Sequence, residues 1–286
     1  MSNAAYLSII EWPDQLTEHD RVVALASAMG TDEYSAMLIV RRGTPQVACK
    51  LAVERAPGAL EALRARGAVA FAPTRDAIDA LPDATPVKRL VPGKSHAAEV
   101  EPWRAPAFAL NAAEIELMVI GKVRSTLVAG GTSGASSGAA DAVRAIGTAA
   151  IGLPLTALGG SDSAQPATHG TDQMTTVLDV WLSSRRVRFV SNRLDTEPLA
   201  ALAAPGARFD LASNHDRVDL LSRWLARAAP TIDRGFREFH CPPDVLVTTT
   251  STSSAGTMKR RTDQAPLFEF YSRWVSMLYK KLRTGT

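Results

Sequence analysis

Four arginines crowd the stretch that follows Trp181: Arg185, Arg186, Arg188 and Arg193. Guanidinium forks grip phosphate and carboxylate through paired N–H donors. An indole can stack on a guanidinium or on a base. Trp181 and these arginines are therefore the candidate anion or partner face. Its ligand would be a phosphorylated molecule, a lipid headgroup, nucleic acid or an acidic protein. The plain alternative is a solvated strand surface whose charges discourage edge-to-edge pairing.

Other chemistry is sparse. His19, His96, His169, His215 and His240 form no HxxxH or HExxH spacing, and there is no CxxC. His240 and Cys241 are adjacent, but neighbours at a helix end point in different directions, which makes a poor start for a zinc site. The run Gly130–Gly138 lacks the lysine a phosphate loop needs, and no GxGxxG occurs. No serine, histidine and acid stand in a recognisable order for nucleophilic catalysis, and Asp216 and Asp219 fit first-turn helix electrostatics. No catalytic residue, metal ligand or cofactor is assigned. The chain is read as a non-enzymatic binding or protein-interaction module. The rivals are an enzyme whose groups converge from distant positions at a domain interface, and a peripheral membrane protein.

The arginines must be positioned by a hairpin. In 175–190, Leu178, Val180 and Leu182 alternate with Asp179, Trp181 and Ser183, and Val187 and Phe189 alternate with Arg186 and Arg188. Period-2 alternation marks half-buried strands. A turn of two residues (Ser184-Arg185) or four (Ser183 to Arg186) pairs Leu182 with Val187 and Val180 with Phe189. One face is then apolar, and the other sets Trp181 opposite Arg188 with Arg186 beside them.

The fold class is α+β. Residues 1–82 give the order β-α-α-β-α-β, a small α/β sandwich with ferredoxin-like element order and helices over one sheet face. Thr17 caps its first helix, Gly30 ends it, and a second helix runs from Thr31 to about Arg41. The proline-rich stretch 83–106 reads as a linker. Residues 107–243 form an α+β domain: strands at 108–110 and 115–128, a flexible insertion at about 129–173, the hairpin, a helix capped by Ser213 with Asp216, and a short helix in 231–240. Gly121 interrupts the long strand where a bulge or bend would be natural. The order of strands, insertion, hairpin and helix resembles that of pleckstrin-homology-like folds, a sheet or small barrel closed by a helix. That resemblance is of element order alone and assigns no family.

Residues 244–263 read as a second linker, and 264–286 as a separate amphipathic helix. At 100° per residue its aromatic arc opposes Glu269, Ser272, Arg273 and Ser276. Such an arc must be covered by something: the protein body, a second subunit, or a membrane surface against Leu267–Arg283. Docking on protein is the expectation, with a protein partner or self-association preferred. The net charge of +3 over 286 residues gives no global case for nucleic acid. Cys49 and Cys241 cannot make a disulfide framework, which points to a reducing, cytoplasmic location. No signal peptide or membrane span is expected.

Overall fold

In a computed structural model, the structure describes residues 4–127, 171–203, 212–227, 231–240, 245, 247–252 and 258–284. The chain divides into two units. The smaller comprises Met1–Leu81, Glu238–Val245 and Met277–Thr286, and the larger Pro82–Arg237 and Leu246–Ser276.

The smaller unit runs β1 (Ala4–Glu11), α1 (Glu18–Met29), α2 (Glu33–Val40), β2 (Gln46–Ala52), α3 (Ala56–Arg64), β3 (Val69–Phe71) and α4 (Arg75–Asp79). The strand order is β2-β1-β3, antiparallel throughout. This is the expected β-α-α-β-α-β sandwich. Thr17 and Asp20 exchange bonds in a capping box at the start of α1, satisfying backbone N–H groups a helix leaves open. Gly30 ends α1 at φ 68°, a left-handed position where a side chain is strained. Asp32 caps α2 by accepting from the Ser35 amide at 2.9 Å. Leu7 and Ile9 of β1 join Leu25, Ile39, Leu51 and Leu63 in one apolar core. Tyr6 and Ser8, which alternate with them, are buried as well, so both faces of β1 are covered.

The larger unit contains β4 (Ala84–Pro92), β5 (Ala97–Pro102), β6 (Phe108–Asn111), β7 (Ile115–Leu127), β8 (Thr171–Leu182), β9 (Arg186–Val190), α5 (Asn214–Ala226), β10 (Ile232–Asp233), β11 (Val247–Thr252), β12 (Met258–Asp263) and α6 (Ala265–Arg283), the last turns of which count with the smaller unit. Its seven-stranded sheet has the order β10-β7-β8-β9-β4-β5-β6 and stays open, with β10 and β6 as edges. Leu178, Val180, Val187 and Phe189 share one core with Val218, Leu221 and Leu225 of α5. The Ser213–Asp216 capping box starts α5.

Several sequence expectations need correction. The stretch 83–106 is no linker: β4 pairs with β9 on one side and β5 on the other. Its prolines fall at Pro86, at the strand ends Pro92 and Pro102, and at Pro106 between β5 and β6, positions a ladder tolerates. Within 244–263, β11 and β12 form a six-pair antiparallel ladder from Val247↔Asp263 to Thr252↔Met258. Threonine, poor in large apolar surface, is still a good strand former. Residues 231–240 give β10 and a 3-10 turn rather than the expected short helix across the stretch. Of the insertion expected at about 129–173, residues 129–170 lie outside the described residues, and 171–173 belong instead to β8.

Gly121 marks no bulge. It pairs in register with Val177. A Cβ there would lie 2.7 Å from the Phe236 ring and 2.8 Å from that of Phe268, so glycine permits two aromatic rings to rest on the strand backbone.

Candidate functional site: the arginine cluster and the exposed face of α2

The hairpin keeps the expected faces but takes a different register. Val180 pairs with Val187, Leu178 with Phe189, Asp179 with Arg188 and Trp181 with Arg186. The Leu182 amide donates to the Arg185 carbonyl at 2.9 Å, closing the turn around Ser183–Arg185. Relative to the pairing read from sequence, the strands slip by two residues. A slip of two preserves which side chains share a face, whereas a slip of one would invert it. The consequence is chemical: Asp179 stands opposite Arg188, where Trp181 had been expected.

That register builds a closed ionic cluster. Arg186 donates to Asp179 from Nε at 3.0 Å and Nη2 at 2.5 Å. It reaches both oxygens of Glu269 from Nη1 at 2.6 Å and Nη2 at 3.0 Å. Arg188 donates to the two oxygens of Asp179 at 2.7 and 2.8 Å, and to Glu269 at 2.7 Å. Arg273 donates to Glu269 at 2.7 Å and to Asp83 at 2.6 Å. Three guanidinium groups thus meet three carboxylates. The Arg186 guanidinium lies 4.8 Å over the Trp181 ring, and the Trp181 indole N–H donates to Ser272 at 3.1 Å.

The candidate anion face is therefore not a surface. Asp179 and Arg186 are 0% exposed, Trp181 2% and Arg188 3%. α6 covers them, and it does so with the side of the helix expected to face solvent. Glu269 and Arg273 bond to the cluster, and Ser272 and Ser276 are buried. The aromatic side is covered too: Phe268, Phe270, Tyr271 and Trp274 are buried, with Phe236 edge-on to Phe268 at 5.0 Å. Of the remaining arginines, Arg185 is exposed and lies 4.6 Å over the Phe108 ring. Arg193 is half-buried, and burial draws its pKa below the usual guanidinium value. The five residues are not brought together as one site.

Burial alone would push the Asp179 carboxyl up, but Arg186 and Arg188 outweigh it and hold the group well below the usual carboxylate range. The same competition leaves Glu269 at about 2: burial raises it, and Arg188 and Arg186 lower it further. Arg188 is held above its usual value, since Asp179 and Glu269 overcome the cost of burying its charge. The carboxylates bonded to these arginines all belong to the chain itself, so the cluster is equipped to lock α6 onto the sheet rather than to admit a ligand. Sequence reasoning missed Asp179 and Glu269. Their signal was present: one acid in an otherwise apolar strand core, and the one acid of an aromatic-rich helix.

Elsewhere the chemistry is thin. Thr176 Oγ1 and His215 Nδ1 lie 2.7 Å apart, but Thr176 is buried, so the contact ties β8 to the start of α5. His240 Nδ1 sits 2.7 Å from the Glu238 carbonyl oxygen, while Cys241 and the Gly130–Gly138 run fall outside the described residues. Burial pushes the Cys49 thiol up to about 11, away from the thiolate a nucleophile requires. Among the described residues, no three His, Cys, Asp or Glu side chains gather as a metal ion would need. An open groove of about 700 Å³ in the smaller unit is lined largely by small apolar groups such as Ala5, Ala56, Leu60 and Ala72.

One surface feature stands apart. Tyr34 and Leu38 of α2 are 67% and 44% exposed. They sit one turn apart on the same helix face, while Ala36 and Ile39 point into the core. Comparison with protein-family models, curated proteins and solved structures returned no match.

Proposed function

We propose that this chain is a non-enzymatic protein-interaction module of the cytoplasm, and that it docks through the outer face of α2. The observation that carries the reading is the Tyr34–Leu38 pair. Large apolar side chains exposed singly need no explanation, but an aromatic and a leucine at i, i+4 form a ready contact stripe. Arg41 continues that line at i+7, and Arg42 follows it, both exposed. Tyrosine and arginine are the residue types that anchor protein interfaces most often.

The neutralised arginine cluster supports the same reading, because it moves the anion-binding candidate from the surface to the interior. The side chains that a membrane-binding α6 would insert, Phe268, Phe270, Trp274 and Val275, are already buried, which favours docking of that helix on protein. No helix among the described residues is long and apolar enough to cross a membrane.

The test is site-specific photo-crosslinking. A photoreactive residue in place of Leu38 should give discrete crosslinked protein species. The same residue in place of Ser183, exposed on the hairpin turn, serves as the control. Equal, featureless labelling at both positions would discard the proposal.

A further inference from the structure

We infer that the partner docked on α2 is a second copy of this chain, the two α2 helices packing antiparallel about a twofold axis. The inference rests on reading α2 as the docking surface, and the observation behind it is charge complementarity. The exposed stripe Tyr34–Leu38 is bounded at its amino end by exposed Asp32 and Glu33, and at its carboxyl end by exposed Arg41 and Arg42. Laying one such helix antiparallel on another brings each acidic end to the other's basic end. Tyr34 of one copy then approaches Leu38 of its mate.

The same arrangement opposes the two helix dipoles, which is the favourable sense. A parallel arrangement would stack acid on acid and base on base. A twofold contact needs a surface complementary to itself, and a stripe with an apolar centre and oppositely charged ends meets that condition.

The available charges are unequal in their freedom. Asp32 is occupied in capping, accepting from the Ser35 amide at 2.9 Å and its hydroxyl at 2.7 Å. Arg41 donates to Glu18 at 2.8 Å within its own copy. Glu33 and Arg42 are therefore the pair through which the two copies recognise each other. Eight helical residues span only about 12 Å, so the contact is small and the dimer forms reversibly, with a population that depends on concentration.

Twofold symmetry supplies a sharp test. A single charge reversal acts twice in every dimer. Glu33→Arg therefore sets base against Arg42 at both ends, and Arg42→Glu sets acid against Glu33. Each variant alone should dimerise at least roughly ten-fold more weakly than the natural chain, since like charges forced together are costly. In an equimolar mixture of the two, the reversed residue at 33 of one copy faces the reversed residue at 42 of the other, base against acid, while the second end keeps the natural Arg42 against Glu33. Both ends of the mixed dimer are thus complementary, and it should form as readily as the natural one.

Sedimentation velocity of the full chain over a concentration series reads the natural chain, each variant and the mixture, and matched thermal melts verify that the variants fold. Leu38→Glu should abolish the association. The inference is overturned if the natural chain stays monomeric throughout. It is equally overturned if its dimers ignore Leu38→Glu and both reversals, or if the mixture associates no better than either variant. A monomeric chain that still crosslinks another protein through position 38 would overturn the second copy as partner while leaving α2 a docking surface. A monomer without specific crosslinks would remove both.

Discussion

Asp179→Asn tests whether the hairpin arginines are interior. The carboxylate of Asp179 accepts four N–H bonds, from Nε and Nη2 of both Arg186 and Arg188. Asparagine keeps the shape but offers one oxygen, and its amide group would point N–H donors at a guanidinium. Summing four charge-assisted bonds at about 1.5–3 kcal/mol each would overshoot, because Glu269 stays in place and the unfolded chain is hydrated. The better guide is removal of one partner from a buried ion pair, which costs about 3–5 kcal/mol through the charge left behind. At about 2–4 °C per kcal/mol for a domain of this size, the melting temperature should fall by roughly 6–20 °C. Thermal and urea unfolding followed by circular dichroism and tryptophan emission provide the assay. As a companion, replacing Asp179, Arg186, Arg188 and Glu269 together by Leu, Met, Met and Leu should recover most of that loss, since apolar groups of similar volume often match a buried ion cluster. A shift below about 1 kcal/mol for Asp179→Asn would show that the arginines are solvated, and the lock would be wrong.

Two further expectations follow from the same geometry. Asp179 and Glu269 have folded-state pKa values below their ordinary ones, so the stability they contribute is complete above pH 4.5 and is lost as pH falls toward the Glu269 value of about 2 and beyond; an acid titration with its main loss near pH ~6, the range of histidine, would contradict this. Gly121→Ala places a methyl within 2.7 Å of the Phe236 ring and 2.8 Å of the Phe268 ring; overpacking of this kind costs about 1–3 kcal/mol, and a neutral result in urea unfolding would mean that the rings move aside freely.

The sandwich of the smaller unit was legible because its signals were local. Thr17 with Asp20, Gly30 and the alternation in β1 each act within a few residues. The faces of the β8–β9 hairpin were legible for the same reason, since alternation fixes parity. Its register was not, because registers that differ by two place the same residues on the same face. In the observed register Asp179 pairs across to Arg188, and Glu269, distant in sequence, completes the counter-charge. The strands at 84–102 were hidden by prolines that happen to sit where a ladder permits them, and β11 by threonines whose polarity resembles a linker's.

The polar side of α6 carries the larger lesson about where function lies. A helix with an aromatic arc and a polar stripe ordinarily turns the stripe to water. Here Glu269 and Arg273 turn inward because the sheet beneath offers two guanidinium groups that would otherwise be buried with too little counter-charge. Apolar packing alone would tolerate α6 at several rotations, its large side chains being spread widely around the axis. The ion cluster admits one. Charge concentrated in sequence therefore fixes the position of a helix and is consumed in doing so. The opposite holds for α2: its helix is short, its composition ordinary, and its charges are split between its two ends. Exposure distinguishes them. Residues whose chemistry is already satisfied inside the fold have little left for a partner, whereas Tyr34, Leu38, Glu33 and Arg42 remain at the surface, which is the ground for proposing α2 as the docking face.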